Sequence, residues 1–298
     1  DNIGVGEGYE IVLADDCDAV ERTAAQMMQE FLAKGALSVG IVRESQAAAE
    51  KRILLGRESN FKAIRDLGDK GVISIRDVAA DEDGFHVKKT GKTVVVAGAN
   101  PRGVLYGVCA FQDLVNEGRK GEVDIKKVPA FRSRVHLIPT FLVADHPASY
   151  RDAVERDAKY LARLGTNGCI DGGGACWDLS KFVSSDVFPF QKPPDPALQK
   201  QIATRSAALR KYGIDHYIML WEPMLPASSA DLGAYPPDAL GGVKLPWGGE
   251  PGAVTKTLCV SSPIVQDHYR NMVGKFVEQY PDVKGFLFYN LDGGAWLC

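Results

Sequence analysis

Several kinds of chemistry are missing from this sequence, and each absence narrows the reading. The six cysteines (Cys17, Cys109, Cys169, Cys176, Cys259, Cys298) include no C-x-x-C pair, so neither a structural zinc site nor a dithiol redox centre is expected. The five histidines form no H-x-x-x-H and no cluster with carboxylates, so no metal is expected. Lysine and arginine do not bunch, and the net charge of −3 argues against nucleic acid as a partner. No apolar run approaches the roughly 20 residues of a membrane span. Gly4-x-Gly6-x-Gly8 precedes a predicted strand, whereas a dinucleotide fingerprint follows one. No cofactor is expected.

What is present looks ordinary in bulk. The chain has 298 residues, 45% of them hydrophobic and 24% charged, in proportions usual for a soluble globular protein. A chain of this length buries about 75% of its unfolded surface. Its length fits about two domains or one large α/β domain. Cys109 reads as a small apolar helix residue. Cys169 and Cys176 flank a predicted turn, where a disulfide and two free thiols both fit, so the redox compartment stays open.

Two grammars follow one another along the chain. Residues 1–128 alternate short strands and helices: "YEIVLA" (9–14), a helix from Asp18 to Gly35, "RILLG" (52–56) and the hairpin "GFHVKKTGKTVVVAG" (84–98). Asp18 with Glu21 makes a capping box, and Gly35 is the expected stop. A second helix opens with Asn100 as cap and Pro101 in its first position. "KKVPAFRSR" (126–134) reads as a linker. Beyond it, four strands (134–140, 167–173, 214–223, 283–290) alternate with helices capped or stopped by Ser149, Gly165, Gly213 and Ser262. That order predicts a parallel sheet. The expected class is α/β: a small two-layer α+β domain over 1–128, then the first half of a (β/α)₈ barrel over 129–298. Half a barrel exposes sheet edges and one core face, a liability. The sequence is therefore expected to be the front part of a longer protein.

The stretch 81–115, "DEDGFHVKKTGKTVVVAGANPRGVLYGVCAFQDLV", resembles the small domain ahead of the catalytic barrel in family 20 β-hexosaminidases and family 67 α-glucuronidases. "ILLG" (53–56) fits the preceding strand, and "YLARLGTNGCI" (160–170) is similar to an early barrel step. "YNLDGGAWLC" (289–298) resembles the fourth-strand region of an uncharacterised barrel family related to family 20. The resemblance implies an exo-acting glycoside hydrolase working on a complex glycan that carries N-acetylhexosamine or uronate. It also implies a secreted or periplasmic location; the opening Asp1-Asn2-Ile3 fits a processed start and a trimmed chain equally. The chain departs from family 20 where an Asp-Glu pair is expected, since Gly293 follows Asp292. Substrate-assisted hexosaminidase chemistry is accordingly not expected.

Glycoside hydrolysis needs two carboxyls across a sugar, and barrel active sites gather at the C-terminal ends of strands. The carboxyls at such ends are Asp171, Glu222 and Asp292. Glu222 lies in "LWEP", where burial beside Trp221 would raise its pKa as a general acid requires. Asp171, in "IDGGG", could instead be satisfied by the amides of its glycine turn, and that turn could also form an anion nest. Trp177, Trp221, Trp247 and Trp296 fall in or beside rim loops, where indoles stack on sugar faces. Phe141, Tyr235 and Tyr289 are possible additions, and Asn290 and His146 are candidate sugar contacts. His136 is expected to be a hydrogen-bonded core or rim residue, and His216 and His268 to be structural. Residues 222–259 form a long Pro/Gly/Ala-rich segment without periodicity, expected to be a subsite wall. A non-catalytic carbohydrate-binding protein is the alternative: it would keep the aromatics and lack a facing acid pair.

Overall fold

The computed structural model describes residues 5–119, 122–138, 150–171, 179–191, 193–221, 233–244, 254–289 and 295–297. The chain forms two compact units: Asp1–Arg134, Arg156–Asn167 and Leu209–Ile214 make one, and Val135–Glu155, Gly168–Ala208 and Asp215–Cys298 make the other.

The first unit is built on a six-stranded mixed sheet. Its strands are β1 (Tyr9–Leu13), β2 (Gly40–Arg43), β3 (Lys51–Gly56), β4 (Phe85–Thr90), β5 (Thr93–Gly98) and β6 (Asp124–Lys127), ordered β2-β1-β3-β5-β4-β6. β2, β1, β3 and β5 run parallel, while β4 is antiparallel to β5 and β6. Helices α1 (Ala19–Lys34) and α3 (Pro101–Asn116) pack on the sheet and on each other, and α2 (Lys62–Asp69) follows β3. The β4–β5 hairpin turns at Gly91, whose φ of 54° favours glycine, as the sequence predicts. β2, α2 and β6 lie outside the sequence expectations. Lys126 and Lys127, read as the start of a linker, complete β6.

The caps explain why the two long helices sit where they do. Asp18 Oδ1 accepts the Val20 N–H at 2.7 Å, and the Asp18 N–H donates to Glu21 Oε2 at 2.6 Å. At the other end, Gly35 has an ordinary φ of −87°, and Ala36 takes the left-handed position at φ 62°. Leu37 N–H then returns to Leu32 O at 3.1 Å, closing the turn. The glycine expected to stop the helix is thus one residue early. Asn100 Oδ1 accepts the Gly103 N–H at 2.9 Å and Pro101 opens α3. The "DGF" motif has a physical role here. Asp83, buried with φ 56°, accepts from Asn100, Arg102, Arg134 and Asn167 at 2.6–3.0 Å.

The second unit contains β7 (Val135–Ile138), β8 (Gly168–Asp171), β9 (Asp215–Trp221) and β12 (Val283–Tyr289), all parallel in the order β12-β9-β8-β7. Helices α4 (Tyr150–Arg163), α5 (Pro196–Lys211) and α6 (Pro263–Gln279) connect or precede these strands. Ile218 and Leu220 face a core made with Leu198 and Ile202 of α5 and Met272 and Phe276 of α6. Ser262 stands at the α6 N-cap as expected, yet its hydroxyl makes no capping bond; Pro263 follows it. On the opposite sheet face a Cβ at Gly168 would meet Val135 and Tyr217, so those residues share it. Val135, Leu137 and Leu287 are exposed at 42%, 48% and 39%. One face of this parallel sheet is covered by helices, and the other exposes apolar side chains at its edge strands β7 and β12, while Met219 of β9 between them is buried.

Residues 222–259 are not structureless. They include β10 (Leu240–Lys244) and β11 (Val254–Leu258), which with β13 (Ala295–Leu297) form a three-stranded antiparallel sheet. A second small core of Phe188, Tyr235, Ala239, Leu258 and Val265 supports it.

Candidate functional site

The parallel register sets which strand ends are neighbours. Trp221 closes β9 and pairs with Tyr289, which closes β12. Adjacent strands run about 4.8 Å apart, so the chain enters the segments beginning at Glu222 and Asn290 from neighbouring points. β13 pairs antiparallel with β10, with Trp296 opposite Val243. The chain after β12 is thereby tied to the hairpin that follows β9. Glu222, Asp292, Asn290, Trp177, Trp247, His146 and Phe141 lie outside the described residues, and Trp221, Trp296 and Tyr289 are described by their backbone alone.

Asp171, the last residue of β8, is the candidate whose side chain is described. It is 1% exposed. Its Oδ2 lies 2.7 Å from His216 Nε2 and 2.5 Å from Arg205 Nη1. Its Oδ1 has no hydrogen-bond partner among the described residues. Arg205 belongs to α5, so the carboxylate sits between the sheet and that helix. Burial opposes its charge, but His216 and Arg205 outweigh burial and hold the carboxyl below its ordinary range. The glycine turn itself lies outside the described residues. Among the described residues, a cation and an imidazole engage this carboxylate. An ionised carboxylate only accepts, so His216 Nε2 carries the hydrogen of that bond. His216 Nδ1 lies 2.7 Å from Ser206 Oγ.

Ser206, His216 and Asp171 are thus strung in the order of a nucleophilic relay. Their exposures of 3%, 1% and 1% keep substrate away from the hydroxyl. The array is a buried hydrogen-bonded network at the end of β8. Beside it, Cys169 is a free buried thiol, pushed up by burial and by the Asp171 carboxylate. Arg205 is missing from the sequence expectations, although a signal exists. Leu198, Ile202, Arg205 and Leu209 share one stripe of α5, so a cation falls where an apolar residue is due.

The other described candidates divide. His216 and His268 are buried and hydrogen-bonded, His268 Nδ1 lying 2.7 Å from Ser185 Oγ. His136 is exposed on β7, not a core residue. Tyr235, considered as a sugar platform, is instead core: its ring lies 5.0 Å from Phe188 and its hydroxyl accepts from Gln191 at 2.9 Å. Among the described residues no three His, Cys, Asp or Glu side chains gather as a metal site. Among them, too, no helix is long and apolar enough to cross a membrane.

A mixed α/β layer followed in the chain by a parallel sheet is the fold that the comparisons also find. Residues 9–111, from β1 into α3, match the family model "Glycosyl hydrolase family 67 N-terminus", and the chain carries a domain of that type. A GH138 enzyme targeting pectin rhamnogalacturonan II superposes on 94% of the chain with a TM-score of 0.65 at 16% identity. CpGH84D superposes on 94% with a TM-score of 0.57 at 12% identity. Likeness at these identities speaks for the fold. The chain spans 30% and 40% of the lengths of those two structures.

Proposed function

We propose that this chain is part of a glycoside hydrolase acting on a complex glycan, with its four-stranded parallel sheet forming the first half of a (β/α)₈ barrel. The observation that carries the reading is that sheet: strands in chain order, helices on one face, and apolar side chains exposed on the other at both edge strands, β7 and β12. Parallel sheets are stable when both faces are covered, and further strands curling the sheet closed would turn Val135, Leu137 and Leu287 inward. Asp171, held charged by a cation, is poorly suited to donate a proton. We therefore assign the acid/base work to Glu222 and Asp292, with Asn290 and the tryptophans Trp177, Trp221, Trp247 and Trp296 on the sugar and His146 as a further contact. The pairing of Trp221 with Tyr289 supports this choice, since Glu222 and Asn290 follow those two residues. Asp171 becomes the residue that steadies the β8 end of the rim. Its engagement with Arg205 leaves one fewer free carboxylate, and that observation favours the non-catalytic carbohydrate-binding alternative. Export from the cytoplasm is part of the proposal and rests on the family resemblance.

Glu222→Gln discriminates the two readings. A hydrolase loses turnover, by roughly 100-fold or more, and keeps sugar binding in calorimetry. Turnover that survives unchanged removes Glu222 from the mechanism.

A further inference from the structure

The first unit carries a cleft of ≈ 280 Å³ lined by Leu13, Arg22, Gln26, Ile41, Val42, Arg43 and Gln46. Leu13 and Arg43 are register partners and the last residues of β1 and β2. The cleft therefore opens at the carboxyl ends of two parallel strands, where open α/β sheets take their ligands. Each arginine is fixed by one nitrogen to the turn that leads into α1. Arg22 Nη1 donates to Cys17 O at 2.7 Å, and Arg43 Nη1 donates to Ala14 O at 3.0 Å and touches Cys17 Sγ. Neither has a carboxylate partner among the described residues. Elsewhere in the same unit Arg57, Arg76, Arg102 and Arg134 are all paired with carboxylates. Two carboxylates beside the cleft are already engaged: Asp15 accepts from Ser45, and Asp18 caps α1.

We infer that this cleft is a binding site for an acidic sugar, separate from the barrel rim. Two anchored guanidiniums with unspent N–H groups suit a carboxylate or sulfate. The amides of Gln26 and Gln46 suit hydroxyls, and Leu13, Ile41 and Val42 supply an apolar floor for a ring's C–H face. The volume lies just under the roughly 300 Å³ where drug-sized pockets begin, which is room for one sugar ring. The preference for an anion follows from the arginines; that the anion rides on a sugar rests on the glycan reading above.

The test is an NMR titration of the 298-residue chain, following the methyl signals of Leu13, Ile41 and Val42 with galacturonate, galactose and inorganic sulfate. Galacturonate is expected to shift these signals saturably and galactose is not. Arg22→Gln should weaken galacturonate about tenfold or more. Gln46→Glu adds a repelling charge, leaves both arginine anchors in place and should have the same effect with an unchanged Tm. Equal response to galacturonate and galactose, or response to sulfate alone, overturns the assignment. A silent cleft sinks this inference and leaves the hydrolase reading standing, whereas cleft binding in a protein with the closed barrel that hydrolyses no glycan sinks the hydrolase reading by itself.

Discussion

Asp171 shows how a single residue can carry two opposite meanings until its partners are known. An aspartate before three glycines at a strand end is compatible with catalysis, with a turn and with an anion nest. The deciding partners, Arg205 and His216, stand 34 and 45 residues further along the chain, and no local pattern links them to it. Their effect on stability can be measured. Replacing one member of a buried ion pair strands the other, at a cost of about 3–5 kcal/mol. Asp171→Asn should show a loss of that order at neutral pH in denaturant unfolding. The folded carboxyl is depressed, so its stabilisation is present above the unfolded value of about 3.9 and fades as pH falls through the folded value. The gap between wild type and Asp171→Asn should accordingly narrow in acid. A gap independent of pH would mean that packing, not charge, makes this residue important.

At the scale of elements, the sequence was most legible where a local signal decides the outcome. The capping box at Asp18, the Asn100-Pro101 start and the Gly91 turn each act within a few residues, and all three stand where expected. β2 escaped because it is a short, half-exposed edge strand whose pairing with β1 comes from 30 residues away. β10, with two glycines in five residues, escaped because its strand character depends on β11 and on β13, more than 50 residues later. Close packing of α3 on the sheet is legible only in three dimensions. A Cβ on Gly103 would lie 2.3 Å from Gly84 O, a backbone atom that cannot swing aside. Gly103→Ala should cost about 1–3 kcal/mol, at the upper end because backbone must move. A Tm within a degree of wild type would show that α3 slides along the sheet at no cost.

For the whole molecule, the βα order in the sequence conveyed the parallel sheet, but the covering of its second face depends on partners that no local pattern names. Val135, Leu137 and Leu287 share that face and are each more than a third exposed. Scattered apolar residues on a surface need no explanation; apolar residues exposed on the same face at both edges of a parallel sheet do. The 298-residue chain should therefore bind an apolar dye or associate with itself through this face. Leu137→Lys combined with Leu287→Lys should suppress both without lowering Tm, since neither side chain is fully buried at the start. In a protein whose barrel is closed around the same residues, the double variant should instead unfold it. Each leucine would then take a charge into a core, forfeiting the roughly 1.5–3 kcal/mol of a buried side chain and adding the desolvation of a lysine. A chain that stays monomeric and dark to the dye would contradict the open face and, with it, the structural basis for reading this sheet as part of a barrel.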